Sequence, residues 1–351
     1  MTINDLLLDA QQRKASDLHI TVGISPKCRI NGELVDMGYD KMTAQDTEAI
    51  IMPMVPEWLK DKLLAEGEAD FSYSISGIGR YRVNVFRQRG SYALVVRIIN
   101  TVIPLPESLG LPASVVELTK KKRGLVLVTG PTGSGKSTTL ASLIDVINTY
   151  SNRHIVTLED PIEYMHKHKN SIVNQREVGI DTQSFANALR VVLREDPDVI
   201  LVGEMRDLET IEIAITAAET GHLVFSTLHT IGAANTVDRM IDVFPPHQQQ
   251  QIRVQLATVL EAVISQQLIP TLDGSSRVAA YEIMHTTPAI RNLIREGKSH
   301  QLTTFIQTNR SLGMQTMDDA IYKLFFQGKI SPDQAMAFAQ DPGSLERKLF
   351  S

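Results

Sequence analysis

The chain of 351 residues has little of several residue types, and each scarcity excludes a class of protein. Its single cysteine, Cys28, excludes an internal disulfide and any zinc site that needs two or more cysteine ligands. No run approaches the roughly 18 apolar residues that a membrane-spanning helix requires. The amino-terminal residues carry acidic rather than basic side chains and only a short apolar run, so we expect no secretory signal. A reducing, intracellular setting fits this composition.

Basic residues are also fewer than acidic residues. The 35 lysine and arginine residues face 40 aspartate and glutamate residues, which gives a net charge of -5. This is the wrong sign for a protein covered in contacts to a nucleic-acid backbone, although a local basic patch is compatible with it. We therefore expect no nucleic-acid partner. The length of the chain predicts about two or three domains. Hydrophobic residues make up 43% of it, which is enough for each domain to bury a core.

The stretch 101–112 divides the chain into two parts with different patterning. It holds three prolines and one glycine, which end helices and interior strands, so we predict a linker there. Before it, alternating apolar and polar residues predict strands at 70–75 and 80–85. Helical patterns lie at 44–55 and 57–66. Residues 1–100 are therefore predicted to form a small α+β domain.

After the linker, runs of Val, Ile and Leu with the length of a strand alternate with helical patterns. These runs are 124–129, 154–158, 199–202 and 222–228. Such alternation predicts an α/β fold, with a parallel sheet covered by helices on both faces. From about residue 288 onward the pattern is helical, most clearly in 317–326 and 332–339. We predict a second domain over residues 113–351 that ends in this helical extension.

Residues 130–137, Gly-Pro-Thr-Gly-Ser-Gly-Lys-Ser, match the phosphate-loop pattern G-x-x-x-x-G-K-[ST] without a mismatch, between a strand-like run and a helical pattern. Glycines let backbone N–H groups turn toward phosphate oxygens, and the following helix adds its positive amino-terminal end. Lys136 is predicted to reach the β- and γ-phosphates, and the Ser137 hydroxyl is predicted to bind Mg²⁺. The predicted nucleotide-binding residues are Gly130, Pro131, Thr132, Gly133, Ser134, Gly135, Lys136, Ser137 and Thr138.

Carboxylates follow two of the strand-like runs, at the edge where an open α/β sheet binds its ligands. Glu204 follows the run 199–202 and is predicted to reach Mg²⁺ or its water. Three carboxylates follow the run 154–158. Among them Glu163 is the predicted acceptor of the proton from attacking water, and Glu159 is its competitor. The alternative for all of them is to cap a helix or to remain solvated.

Two histidines stand at the two ends of another run. His229 follows its carboxyl end and could sense a γ-phosphate, whereas His222 begins the run, near the opposite edge of the sheet. The strand between them separates the two rings by roughly 23 Å. They therefore cannot share a metal ion. A lone histidine at a strand end is more often a structural hydrogen-bonding group.

Arginines cluster on the strand-like runs of the first domain. They are Arg80, Arg82, Arg87, Arg89 and Arg97. If these runs pair as a hairpin, Arg82 and Arg97 project together. Clustered arginines suit an anion, such as a nucleotide phosphate supplied across an interface. The alternative is a solvated sheet edge whose charges prevent aggregation.

These blocks resemble those of the secretion-type hexameric ATPases, and among them the type IV pilus retraction motors, over essentially the whole chain. Four stretches resemble the family's Walker A loop, Asp box, Walker B block and His box: 130–138, 157–163, 193–207 and 220–229. Two more resemble the amino-terminal signature and the carboxy-terminal segment that marks retraction motors: 15–19 and 289–296. The single cysteine is unlike pilus-assembly relatives, which often carry a four-cysteine zinc site.

The resemblance implies a PAS-like domain for residues 1–100 and a RecA-like ATPase domain for residues 113–351. It implies a cytoplasmic homohexamer with ATP and Mg²⁺ at the subunit junctions, where Ser137 and Glu204 hold the ion directly or through water. The catalytic residues that it implies are Glu163 as general base, with Glu204, His222, His229, Arg82 and Arg97. For His222 this is a larger role than its spacing suggests.

The function implied by the resemblance is a Mg²⁺-ATP-driven motor for pilus retraction and twitching motility. Its implied partners are an inner-membrane platform protein, the pilus machinery at the cytoplasmic face of that membrane, and paralogous ATPases. An accessory retraction ATPase of the same family is the nearest alternative. A nucleic-acid translocase is another, against which the net charge counts. A scaffold that binds ATP without needing hydrolysis is a third, against which the intact acidic positions count.

Overall fold

The computed structural model describes residues 2–30, 32–75, 78–99, 102–274 and 276–350. Two units form, one of Met1–Val102 with Glu163–Met165 and the other of Ile103–Ile162 with His166–Ser351. The division between residues 102 and 103 falls within the stretch predicted as a linker, whose first residue, Thr101, lies outside the described residues. Residues 103–112 thus group with the second unit.

Over its described residues, the first unit is a six-stranded antiparallel sheet with three helices. The strands are β1 (Asp17–Ile20), β2 (Lys27–Ile30), β3 (Glu33–Asp36), β4 (Glu68–Ile75), β5 (Gly79–Gln88) and β6 (Ser91–Ile98), in the order β3-β2-β1-β6-β5-β4. The helices are α1 (Ile3–Gln12), α2 (Ala44–Ile51) and α3 (Glu57–Glu66). The strands predicted at 70–75 and 80–85 are confirmed as parts of β4 and β5.

The helix predicted over 44–55 is shorter than the sequence pattern indicates. It ends at Ile51, two residues before Pro53. A proline disfavours helical geometry in the residue before it and lacks the N–H that continues a helix, which accounts for the early end. The helix predicted over 57–66 is confirmed.

One face of β5 lies on the core of the first unit. Tyr81, Val83 and Val85 are fully buried, whereas Arg82 between them is exposed. Arg82 is paired with Arg97 of β6 in the antiparallel register. The predicted hairpin is therefore confirmed, and it places both arginines on the face of the sheet that points away from this core.

The second unit is built around a seven-stranded sheet within the described residues. Its strands are β7 (Gly124–Thr129), β8 (His154–Glu159), β9 (Ile172–Glu177), β10 (Val199–Val202), β11 (Leu223–Leu228), β12 (Leu260–Pro270) and β13 (Arg277–His285). They lie in the order β13-β12-β7-β11-β10-β8-β9, and only the β12–β13 pair is antiparallel in this part of the structure.

Helices cover both faces of this sheet. They are α4 (Ala113–Val116), α5 (Lys136–Tyr150), α6 (Phe185–Val192), α7 (Leu208–Glu219), α8 (Ala233–Asp242), α9 (Pro246–Val259), α10 (Pro288–Arg295), α11 (Leu302–Thr308), α12 (Met317–Phe326), α13 (Pro332–Phe338) and α14 (Pro342–Phe350). Every residue of β7, β10 and β11 is buried. Burial of each Val, Leu or Ile side chain contributes about 1.5–3 kcal/mol, so these strands anchor the unit.

The predicted parallel sheet and the helical end of the chain are both present. The helical pattern expected from about residue 288 begins with α10, and α12 has the bounds that were predicted for it. The sequence reasoning did not identify β9, β12 or β13. None of the helices in the described ranges combines the length and the hydropathy that a membrane crossing requires.

Candidate nucleotide site

The phosphate loop connects the buried strand β7 to α5. Three of its glycines have positive φ angles: 139° at Gly130, 78° at Gly133 and 88° at Gly135. A Cβ atom on Gly130 would lie 2.2 Å from the carbonyl oxygen of Gln266. Since no side chain fits so close to a neighbouring backbone, glycine is required at residue 130 both for its conformation and for this close approach.

Lys136 opens α5 and is 8% exposed. Its Nζ donates hydrogen bonds to the carbonyl oxygens of Gly130, at 2.9 Å, and of Pro131, at 3.0 Å. The ammonium group is therefore held over the loop. The N–H groups of the first helical turn, which contains the half-buried Ser137 and Thr138, present the positive end of α5 at the same place.

Two features of the loop fit a phosphate ligand. The Ser134 hydroxyl oxygen is buried and, among the described residues, has no hydrogen-bond partner. The glycines at 133 and 135 leave the backbone N–H groups unobstructed by side chains, as phosphate-binding loops require. Together with Lys136, this arrangement can bind the phosphates of a nucleotide.

Gln266 of β12 braces the loop, and the sequence reasoning did not identify it. Its Nε2 donates to the carbonyl oxygen of Ser134 at 2.6 Å, and its Oε1 accepts from the Thr139 hydroxyl at 2.8 Å. No motif marks this glutamine, and it is separated from Ser134 by 132 residues in the chain. Its position follows only from the pairing of β12 with β7.

Glu204 and His229 come together beside the loop. His229 Nε2 lies 3.3 Å from Glu204 Oε2, and His229 Nδ1 lies 3.5 Å from the Thr132 hydroxyl. Arg206 Nε makes an ion pair with the same Glu204 oxygen at 2.8 Å. The backbone fixes this arrangement because the N–H of Met205 donates to the carbonyl of Thr227, at the end of β11.

The two candidates for the general base differ in their surroundings. Glu159, at the end of β8, accepts hydrogen bonds on Oε1 from the Thr157 hydroxyl at 2.7 Å and from Gln175 Nε2 at 3.0 Å. Glu163 is exposed, and its segment 163–165 groups with the first unit. Glu163 is therefore not placed relative to the phosphate loop, and its assignment as base stays a prediction.

His222 lies at the amino-terminal ends of the strands, opposite the ends that lead into the phosphate loop. It comes just before β11, and its carbonyl accepts from the N–H of Gly124, at the start of β7. His222 Nδ1 lies 2.9 Å from the carbonyl oxygen of Ala217 in α7 and 3.2 Å from the Thr220 hydroxyl. Within the second unit it is a hydrogen-bonding residue next to the end of α7, as its spacing suggests, and the structure does not bring it to the phosphate loop.

In the first unit, Arg82 and Arg97 line a surface hollow of about 250 Å³. Arg97 Nε donates to Asp17 Oδ1 at 3.1 Å, while the Arg97 side chain keeps 68% of its surface exposed. Asp70 and Asn84 also line the hollow. Two exposed guanidinium groups on neighbouring strands can bind an anion here.

A larger cavity, of about 470 Å³, adjoins the phosphate loop in the second unit. Apolar and polar side chains line it beside Gly135 and Thr138, including Leu109, Leu268, Val278, Ala279, Tyr281 and Gln315. The Tyr281 hydroxyl donates to the Leu109 carbonyl at 2.9 Å. Burial raises the pKa of Tyr281 to about 12, so the hydroxyl remains a donor at neutral pH. The cavity has the size of a small-molecule site and can receive the base and sugar of a nucleotide.

A divalent ion has two candidate ligands at this edge. The Ser137 hydroxyl in the first turn of α5 and the Glu204 carboxylate both offer oxygen, which Mg²⁺ prefers. Within the described ranges, no group of three or more His, Cys, Asp or Glu side chains is arranged around a common point. These two oxygen donors fit an ion that a nucleotide phosphate also helps to bind.

Comparison with known proteins places the chain in a family. A family profile described as "Type II/IV secretion system protein" matches residues 1–316. The chain is 48% identical, over 97% of its length and 99% of the relative's, to the type IV pilus retraction ATPase PilT of Pseudomonas aeruginosa. It is 47% identical to a twitching motility protein of Neisseria gonorrhoeae, over 92% of this chain and 86% of that protein.

A solved structure of the pilus retraction motor PilT with bound ADP superposes with a TM-score of 0.93 and 51% identity, over 99% of both chains. This likeness confirms the predicted α/β fold class, with its RecA-like ATPase domain, and the resemblance inferred from the motifs. The geometry of the loop fits phosphate binding, and the assignment of residues 130–138 to nucleotide binding stays a prediction. The chain belongs to the family of Type II/IV secretion system proteins.

Proposed function

We propose that the chain hydrolyses ATP and, as a subunit of a hexameric ring, powers the retraction of type IV pili. The observation that carries the proposal is an intact phosphate loop in a chain 48% identical over almost its whole length to a retraction ATPase. The relative from Neisseria gonorrhoeae is a twitching motility protein, which supports the same cellular role.

ATP binds with its phosphates on the loop amides and Lys136. Its base and sugar occupy the cavity beside Gly135 and Thr138, which continues directly from the loop. Mg²⁺, when bound, offsets negative charge on the phosphates. Ser137 and Glu204 are the residues that would hold it.

Hydrolysis needs a proton acceptor and positive charge near the transferred phosphoryl group. Glu163 accepts the proton of the attacking water. Arg82 and Arg97 offset the charge that develops on the phosphoryl oxygens of a nucleotide at a subunit junction. His229 connects the loop residue Thr132 to Glu204 and can respond to the γ-phosphate.

Rigid-body motion of the two units, which the chain joins between residues 102 and 103 and at both ends of the segment 163–165, converts hydrolysis into movement. In the cell, the ring acts at the cytoplasmic face of the inner membrane on a pilus platform protein and removes pilin subunits. A role for His222 in this cycle stays a prediction from the resemblance.

The test is complementation of a bacterial strain that lacks its retraction ATPase. The unaltered chain is expected to restore twitching motility by itself, and the Lys136→Ala variant is expected to fail at equal expression. Restoration only when a second retraction ATPase is also present would assign the chain the accessory role instead. Salt-dependent DNA binding by the purified chain would favour a nucleic-acid translocase.

A further inference from the structure

Gln266 stands where β12 passes the phosphate loop. The two strands run parallel, and Ser265 of β12 is paired with Thr129, the last residue of β7. Gln266 and Gly130 are the next residues on the two strands, so they lie beside each other. Its side chain is 2% exposed, and its carbonyl oxygen is the atom that a Cβ on Gly130 would meet.

The amide of Gln266 makes one hydrogen bond to the loop and one to the helix. Nε2 donates to the Ser134 carbonyl at 2.6 Å, and Oε1 accepts from the Thr139 hydroxyl at 2.8 Å. A carbonyl can only accept a hydrogen bond, so it must face the NH₂ side of the amide. The Ser134 contact thus fixes the orientation of the amide, and Thr139 holds its other end.

This contact determines the direction of a backbone N–H in the loop. In a trans peptide, the C=O and the following N–H point in opposite directions. Because Gln266 holds the Ser134 carbonyl toward β12, the N–H of Gly135 points away from β12. Gly135 immediately precedes α5, where loop N–H groups bind phosphate oxygens.

We propose that Gln266 is a positioning residue of the nucleotide site, which orients the phosphate-binding N–H of Gly135 through the Ser134 carbonyl and fastens the loop to Thr139. Gln266 also lies close to the next residue of the loop. A Cβ on Gly135 would lie 2.9 Å from Gln266 Nε2. The proposal depends on one part of the proposed function, the binding of a nucleotide at the loop.

The test is the affinity of the full-length chain for ADP, measured by isothermal titration calorimetry. The Gln266→Met variant keeps the length of the side chain but removes its donor and acceptor. Its dissociation constant for ADP is expected to rise roughly three- to tenfold, the effect of losing the single hydrogen bond from the Gly135 N–H to phosphate. Because the Gly135 N–H contacts phosphate before and during the reaction, KM for ATP should rise similarly while kcat changes little.

The neighbouring glutamine provides a matched control. Gln267 is 7% exposed, and its Nε2 donates to the Phe338 carbonyl at 3.4 Å, away from the loop. The Gln267→Met variant is expected to bind ADP as the unaltered chain does. The Thr139→Val variant removes the second contact and should weaken ADP binding in the same direction, with effects that do not add to those of Gln266→Met.

A purely structural role for Gln266 would lower the melting temperature without changing the dissociation constant, and that result would overturn the proposal. If Gln266→Met fails to fold, Thr139→Val decides: unchanged ADP affinity in that variant overturns the proposal as well. Failure of the unaltered chain to bind ADP would instead overturn the proposed function. The two failures are therefore distinguishable.

Discussion

Glu159 and Glu163 lie at the end of β8 and just beyond it, but they are placed differently. One oxygen of Glu159 already accepts hydrogen bonds from Thr157 and Gln175. Those bonds hold it in place, which suits a structural carboxylate better than a proton acceptor. Glu163 is exposed and can approach a water molecule.

Substitution of these two carboxylates distinguishes their roles. We expect Glu163→Gln to lower kcat by roughly 10²- to 10⁴-fold, the contribution of a general base, with little change in ADP affinity. Glu159→Gln should cost much less turnover. Steady-state ATPase assays with calorimetry of ADP binding measure both quantities. The opposite order of the two variants would assign the base to Glu159.

The sequence predicts residues of the site where they are contiguous in the chain or where they follow strand-like runs, as Glu204 and His229 do. The phosphate loop is contiguous, so its pattern identifies it directly. Gln266 is remote in sequence from the loop that it contacts, and an isolated glutamine carries no signal. His222 was correctly placed at the far edge by strand spacing, because distance along a strand is fixed.

Elements that depend on tertiary pairing were the ones missed. The strand β12 contains Ser265, Gln266 and Gln267, which interrupt the apolar run that a buried strand usually shows. It was therefore not predicted, although it lies between β7 and β13. These polar side chains hydrogen-bond to loops and helix starts, which only the folded structure reveals. In contrast, β10 consists only of Val, Ile and Leu, and β7 and β11 are mostly apolar, so these strands were predicted from their apolar runs.

The hairpin of β12 and β13 also fastens two helices through Glu282. Its Oε1 accepts from the N–H of Ala233 at 2.6 Å, at the start of α8, and its Oε2 accepts from the N–H of Met317 at 3.3 Å, at the start of α12. Burial raises the pKa of this carboxyl group. The helix starts supply donors for both oxygens, which offsets part of the cost of burying it.

We therefore expect Glu282→Gln to destabilise the protein, because the NH₂ group of glutamine would face a backbone N–H. The free energy of unfolding should fall by about 1–3 kcal/mol in urea denaturation at pH 7. Glu346→Gln on α14 is the control, since Glu346 is exposed and should tolerate the change. Equal stability of the two variants would show that Glu282 does not hold the helices.

The segment between β8 and β9 gives a pH dependence. His166 is buried, its backbone N–H donates to Gln175 Oε1 at 2.8 Å, and its ring Nδ1 lies 3.9 Å from Asp145 Oδ1. Burial lowers the pKa of His166 to about 4, against the partial opposition of Asp145. Folding thus favours the neutral ring, so this contribution to stability is complete above the unfolded pKa of about 6.5 and is lost as the pH falls toward 4.

Between pH 7 and pH 4.5, the unaltered chain should lose about 2 kcal/mol more of its unfolding free energy than a His166→Gln variant, whose side chain does not titrate. Chemical denaturation at both pH values measures the difference. His247→Gln, at an exposed position of α9, should leave the pH dependence unchanged. Parallel pH profiles for the unaltered chain and His166→Gln would contradict the burial of a neutral ring.

At the scale of the whole molecule, the residues proposed to act in hydrolysis come from both units. The phosphate loop, Glu204 and His229 belong to the second unit, whereas Arg82 and Arg97 belong to the first. If the arginines act on a nucleotide held at a junction between subunits, hydrolysis depends on assembly. A chain that hydrolyses ATP with its own residues alone has no such dependence.

The most direct test is steady-state ATPase activity across a series of protein concentrations, with light-scattering mass measured on the same samples. Specific activity should rise as the mass reaches that of a hexamer. Arg82→Ala should assemble and bind ADP normally but turn over slowly, while Arg89→Ala, at another exposed arginine of the first unit, should retain activity. Hydrolysis by a monomer, independent of concentration, would contradict the shared site and with it the proposed ring motor.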